Sequence, residues 1–283
     1  MFFLTTVAVS QQPVTLFEAV VSWVDPAVSL LPREQLVPPG VTDQQQDQFN
    51  AMDMEESKYS AVIAALHAVG IDAPPVPGVY VIAVAAGFPA SGKLRPGDIV
   101  LEANGVALRN AGALASQLTS RPIGAEHTLR ILRSTQELTV KLKTVASPGN
   151  DQERSAVIGA KLGPAFRLPL SVNVDSQNIG GPSAGLAFAL TIADALTKED
   201  LTRGHRVAVT GTIDLNGNVG LVGGVEFKVR AAEREGADIF LVPKDEVAQA
   251  SSVGGDVEVI GVSTLAEAIA ALRRLGQIVP KAA

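Results

Sequence analysis

The sequence predicts an α+β protein of two domains, with mixed sheets and packed helices. Three observations carry that expectation. The chain has 283 residues, enough for two separate cores at roughly 150 residues each. Short β-prone runs alternate with segments in which apolar residues recur at helical spacing. A stiff connector, Pro74-Pro-Val-Pro-Gly78, and a polar one, Ser147-Pro-Gly-Asn-Asp-Gln-Glu-Arg154, set off a β-rich stretch between them. The expected division is therefore 1–72, 73–146 and 147–283, with the first segment completing the domain of the last.

Composition narrows the function before any motif is read. Hydrophobic residues make up 47% and charged residues 18% of the chain, which describes a folded protein rather than a disordered one. A formal net charge of −6 leaves no basic field for a phosphate backbone, so no nucleic-acid partner is expected. The absence of cysteine excludes disulfides, thiolate nucleophiles and Cys-based zinc sites. His67, His127 and His205 lack metal-ligand spacing, and neither a metal nor a cofactor is expected.

In chain order, Phe2 to Val9 reads as a strand that begins almost at the first residue, as if a preceding segment had been removed. It is too short to cross a bilayer. Up to Leu31 the residues remain β-prone, broken by Pro13 and Asp25-Pro26, and two strands with a turn are expected. Residues 38–50 read as a loop or the start of a surface helix. From Met52 to Val69 the helical period is clear, with Met54, Ala61, Ile63, Ala64, Leu66 and Val69 on one broad face and Gly70 as the stop.

The next stretch reads as a strand at 79–84, a strand at 98–103 ending in the hairpin signal Asn104-Gly105, a helix capped by Asn110, and a last hairpin across 133–136. Beyond the second connector, strands are expected at 156–160 and 167–174. A helix starting near Ser183 is apolar on nearly all sides and should be buried. Residues 207–214 and 218–221 flank Asn216-Gly217 as a hairpin, a helix at 225–235 stops at Gly236, and buried strands follow at 238–242 and 257–262. Thr264-Leu-Ala-Glu267 has capping-box spacing ahead of the last helix.

Two groups carry chemistry. Gly180-Gly-Pro-Ser-Ala-Gly185 sits between a β-prone run and the buried helix. Its ordinary reading is a helix cap, in which the Ser183 hydroxyl takes a first-turn N–H. The functional reading makes Ser183 a nucleophile on a glycine turn, with the N–H groups around Gly181, Pro182 and Ala184 and the helix dipole facing a developing oxyanion. With no histidine arranged as its base, the candidate is Lys228. It stands in the first turn of a helix, after Gly223-Gly224, where dipole and burial both disfavour its charge. The solvated surface lysine is the ordinary alternative.

The string Gly181-Pro-Ser-Ala-Gly185, followed by Val209-Thr-Gly211, Ile213, Gly217, Val219-Gly220, Gly223-Gly224 and Lys228-Val-Arg-Ala-Ala232, resembles the proteolytic domain of Lon-type serine proteases over roughly residues 155–275. That resemblance implies Ser183 as nucleophile, Lys228 as general base and Thr210 as the threonine that supports the lysine. Gly180 departs from the pattern, since many Lon enzymes carry an acid there. Residues 76–145 resemble a bacterial PDZ domain, through Gly78-Val-Tyr-Val81, Gly87-Phe-Pro-Ala90, Gly92-Lys-Leu94 and Pro96-Gly-Asp-Ile99. By that likeness Gly78, Val79, Tyr80 and Val81 would form the peptide-binding edge, facing Ala113, Leu114 and Gln117.

Gly87 to Leu94 also has Walker A spacing, but Leu94 replaces the hydroxyl that holds magnesium and Pro89 interrupts the phosphate cradle. ATP is therefore not expected as a partner. The two likenesses together imply an ATP-independent serine endopeptidase acting on polypeptides or protein C-termini. They also imply a membrane-anchored, extracytoplasmic full-length protein and a homo-oligomer, hexameric in the family. The alternative is a catalytically inactive PDZ adaptor or peptide-binding scaffold on a Lon-like fold.

Overall fold

A computed structural model describes residues 1–7, 9, 14–25, 28–149, 154–176, 180–253 and 255–275. The strands are, in chain order, β1 (Phe2–Leu4), β2 (Pro75–Val84), β3 (Ile99–Ala103), β4 (Val106–Ala107), β5 (Glu126–Arg133), β6 (Gln136–Lys143), β7 (Val145–Ala146), β8 (Ala156–Val157), β9 (Ala160–Phe166), β10 (Val207–Val209), β11 (Thr212–Ile213), β12 (Val219–Gly220), β13 (Ile239–Pro243) and β14 (Glu258–Val262). The helices are α1 (Leu16–Val24), α2 (Arg33–Leu36), α3 (Asp43–Ala68), α4 (Ala111–Thr119), α5 (Gly185–Leu196), α6 (Val225–Arg234), α7 (Val247–Ser251) and α8 (Leu265–Leu275). Contacts divide the chain into one unit of 1–30, 57–72 and 172–283, and another of 31–56 and 73–171.

The first unit is built on a parallel sheet in the order β1-β10-β13-β14. Parallel strands need both faces covered, and β10 and β13 are apolar and buried along their whole lengths. Ala208, Phe240 and Val242 face one way and pack with Val225, Val229 and Ala232 of α6 and Ala250 of α7. α5 packs against β1 and α8. It is buried at eight of its twelve positions, as its all-round apolar sequence requires.

One predicted strand is broken in a way that matters. Residues 207–214 do not run straight: β10 ends at Val209, and after Thr210 and Gly211 the chain turns into the antiparallel β11–β12 hairpin. Gly211 has φ +152, and a Cβ there would meet Val219 at 2.9 Å.

The second unit is an antiparallel sheet in the order β6-β5-β3-β2-β9, with β4 beside β3. The expected Asn104-Gly105 hairpin is present, with φ +52 and +81 at its two centres. Asn110 caps α4 by accepting the Ala113 N–H at 2.9 Å. Arg133 grips the buried Asp98 carboxylate through two hydrogen bonds of 2.7 Å.

Several expectations change. Residues 16–24 form a helix rather than a strand, because Thr15 and Glu18 make a reciprocal capping box. β1 is only three residues long. α3 begins at Asp43, where Thr42 and Gln45 exchange side-chain and backbone hydrogen bonds. The strand expected at 167–174 is absent; β9 lies before it, at Ala160–Phe166, and pairs with β2. Residues 147–171 accordingly group with the β-rich unit, as do 31–56. The breaks at Pro13 and Pro26 and the middle of the 147–154 connector lie outside the described residues. No helix among the described residues is long and apolar enough to cross a membrane.

Gly185 opens α5 where there is no room for a side chain. A Cβ would stand 2.8 Å from Ser57 Oγ of α3 and 3.0 Å from the Ile213 amide nitrogen. Gly185→Ala is expected to lower stability by about 1–3 kcal/mol through overpacking; an unchanged denaturation midpoint would refute this account of the contact.

Candidate functional site

Ser183 lies in a single 3-10 turn, Pro182–Ala184, that leads directly into α5. Gly181 enters the turn at φ +86, a conformation suited to glycine. No side chain caps this turn or α5, so Ser183 does not act as the helix cap. Its position is fixed through the backbone instead. The Gly211 N–H donates to the Ser183 carbonyl at 3.0 Å, the Leu186 N–H donates back to the Gly211 carbonyl at 3.0 Å, and Ser57 Oγ donates to the Pro182 carbonyl at 3.0 Å. None of these bonds uses the Ser183 hydroxyl.

Lys228 stands in the first turn of α6, after Gly224 at φ +63. It is only 3% exposed, and Thr210, which receives its amine, is fully buried. Lys228 Nζ donates to Thr210 Oγ1 at 3.1 Å, and the Thr210 hydroxyl in turn donates to the Ser183 carbonyl at 3.4 Å. Burial pushes the lysine pKa down to about 8, against a smaller opposing pull from the Glu246 carboxylate. A solvated surface lysine is thus excluded by the fold.

Ser183 and Lys228 line one cavity of about 570 Å³, together with Thr5, Thr6, Gly180, Pro182, Ala184, Thr212, Val222 and Gly223 among others. No hydrogen bond joins Ser183 Oγ to Lys228 Nζ. Catalytic contacts are often loose before substrate binds. The expected first-turn residues Gly181, Pro182 and Ala184 are at the Ser183 turn, and Gly180 contributes no carboxylate to the cavity.

Sequence reading missed Glu246, which closes a 3-10 turn at Lys244–Glu246 and is 8% exposed. Its Oε2 accepts the Val222 N–H at 3.1 Å. An acid after a buried strand reads as a surface residue, so only the packing reveals it.

The expected peptide edge must be corrected. β2 is paired on both sides, by β3 and by β9, so Val79, Tyr80 and Val81 present no free edge, and Gly78 lies at an irregularity in the β9 pairing. Val79, Val81 and Leu114 are fully buried core. A Cβ on Gly78 would meet Ile99 at 2.5 Å, which marks that glycine as a packing residue. The terminal strand on this side is β9, and α4 packs beside it. The Walker-like segment 87–94 is a tight turn whose Lys93 Nζ donates to the Lys141 carbonyl at 2.7 Å.

Comparison with known proteins finds two family matches. Residues 173–273 match the Lon protease (S16) C-terminal proteolytic domain, and residues 44–144 match the PDZ domain. The Lon protease of Campylobacter concisus is 30% identical over 142 residues, covering 48% of this chain and 17% of that protein. Lon protease 2 of Bacillus subtilis is 39% identical over 92 residues, covering 32% of this chain and 16% of that protein. The chain therefore matches less than a fifth of the length of either relative. A solved PDZ domain of the SdrC-like protein from Listeria monocytogenes is 24% identical with a TM-score of 0.28, covering 31% of this chain and 90% of that one.

The depressed Lys228 pKa has a stability consequence. The folded state holds the amine near pKa 8 against an ordinary 10.5, so the unfolded chain binds more protons between those values and stability rises with pH across that window. Below about pH 8 the penalty is fully present. Lys228→Met is expected to raise stability by about 1–3 kcal/mol at pH 6.5 and by clearly less at pH 10. Equal gains at both pH values in urea titrations would contradict the burial account.

Proposed function

We propose that this chain, which joins a Lon-type proteolytic domain to a PDZ domain, is a serine endopeptidase that works without ATP. The observation that carries the reading is the buried Lys228 amine sharing a cavity with the uncapped Ser183 turn. In this mechanism the neutral Lys228 amine takes the Ser183 Oγ proton as Oγ attacks a peptide carbonyl. The same proton is passed to the leaving amine, and water then hydrolyses the acyl-enzyme. Thr210 contributes by accepting an N–H from Nζ, which leaves the amine lone pair free to act as base. First-turn N–H groups lack intrahelical acceptors, and those at 183 and 184 are suited to hold the oxyanion.

The PDZ domain would recruit flexible or unfolded polypeptides by their C-termini. Strand addition needs an unpaired edge, which makes β9 beside α4 the docking place. Ala160 and Leu162 of β9 and Ala113 of α4 are half-buried against the same core.

The test is a mass-spectrometric time course on an unfolded protein without ATP. The parent chain is expected to cleave, and Ser183→Ala and Lys228→Ala to lose at least about 10³-fold in rate. The parent rate should rise with pH through about 8, where Lys228 loses its proton. Cleavage that survives both substitutions would overturn the assignment.

Ala113→Phe is expected to weaken binding of a C-terminal peptide about tenfold in fluorescence anisotropy, by filling the groove beside β9. Unchanged binding would move the peptide site elsewhere.

A further inference from the structure

Glu246 has no role in the mechanism above, yet its placement is unusual for an acid. It follows the buried strand β13, is 8% exposed, and spends one carboxylate oxygen on the Val222 N–H at 3.1 Å. Val222 and its neighbours Leu221 and Gly223 line the cavity that holds Ser183 and Lys228. The carboxylate therefore ties down the strap that forms one wall of the cavity. It is also the charged group that acts on Lys228, without forming an ion pair with it among the described residues.

We propose that Glu246 is a positioning residue of this site: its carboxylate fastens the Leu221–Gly223 strap and keeps a negative charge near the Lys228 amine without pairing with it. The inference rests on the endopeptidase reading only for its catalytic consequence, because both the strap and the charge are properties of the fold.

The surrounding charges support this assignment. On α6, Glu226 is the other carboxylate that acts on Glu246, and Gln249 of α7 holds it by a hydrogen bond of 2.9 Å. Further along α6 stand Arg230, Glu233 and Arg234, while Lys244 and Asp245 beside Glu246 are exposed. β13 has no titratable side chain, and β14 has only the exposed Glu258. The Ser183 turn and the β10–β11 junction bring only neutral hydroxyls toward the amine. Burial raises the Glu246 pKa, and the Val222 N–H and Lys228 pull it back. An ionised Glu246 holds the proton on Lys228, so removing its charge must lower the pH at which that proton leaves.

Two substitutions separate charge from reach. Glu246→Gln keeps an acceptor for Val222 and removes the charge; Glu246→Asp keeps the charge and shortens the reach. The experiment is competitive acetylation of the full chain with acetic anhydride from pH 6 to 11, with Lys228 read by mass spectrometry and kcat/KM measured beside it.

The Gln variant is expected to lower the Lys228 labelling midpoint by roughly half a unit to one unit, less than a contact pair would give. The acid limb of its kcat/KM profile should move by the same amount. The Asp variant should keep the parental midpoint and lose roughly three- to tenfold in kcat/KM as the strap loosens. Parental midpoints in both variants would overturn the charge role, and a parental kcat/KM in the Asp variant would overturn the strap role. If the Gln variant fails to fold, Glu246→Ser removes the charge in its place: a lowered Lys228 midpoint supports the charge role and a parental one overturns it. A midpoint lowered by Glu246→Gln, in a chain whose parent shows no Ser183-dependent cleavage, would defeat the endopeptidase reading and leave the charge role of Glu246 standing.

Discussion

The geometry of the site depends on the reciprocal backbone contact between Gly211 and the Ser183 turn. Gly211 donates to the Ser183 carbonyl, and Leu186 donates to the Gly211 carbonyl. This pair can form only because the chain leaves the parallel sheet after Val209, turns at Thr210 and Gly211, and runs back as a hairpin. The same break directs Thr210 toward both the Ser183 carbonyl and Lys228 Nζ. One irregularity in a buried strand thus sets the entry of α5, the serine and the partner of the lysine. Gly185 and Gly211, each crowded on its Cα, let these segments approach.

That arrangement sets stability against chemistry. A fully buried apolar side chain at 228 would satisfy the core that Val225, Val229 and Ala232 form on the same helix. A lysine there costs desolvation of its ammonium, and the structure lowers that cost by letting the amine go neutral near pH 8. A proton acceptor at near-neutral pH is the result.

Much of this was legible in the sequence because the signals are local. Asn104-Gly105 requires positive φ at both centres, Asn110 and Thr264 cap their helices with their own oxygens, and α5 is too apolar to lie on a surface. Ser183 and Lys228 stood out by their glycine settings. What stayed hidden depends on contacts distant in sequence. Residues 16–24 carry β-prone valines, and the reciprocal Thr15–Glu18 box overrides that preference. β9 falls between the strands expected at 156–160 and 167–174, and only its pairing with β2 places it in the antiparallel sheet of the second unit. That pairing hides the edge which Val79 to Val81 would otherwise offer. Glu246 carries no sequence signal at all, since its burial is set by the packing of its turn against β14 and α7.

The choice of lysine explains why its neighbours are hydroxyls rather than acids. A carboxylate in contact with Lys228 would stabilise the ammonium and return its pKa toward or above the ordinary 10.5. The buried amine would then stay charged through neutral pH, which would close the base role proposed for it. A fully apolar shell would fail in the opposite way, by leaving the amine hydrogens unpaired. Thr210 meets both demands: it takes an N–H and adds no charge. Gly180, lining the cavity without an acid, and Glu246, held back on the Val222 amide, keep negative charge out of contact with the amine. The separation of charge from Nζ is therefore the variable that this site controls, and burial alone would not have been sufficient.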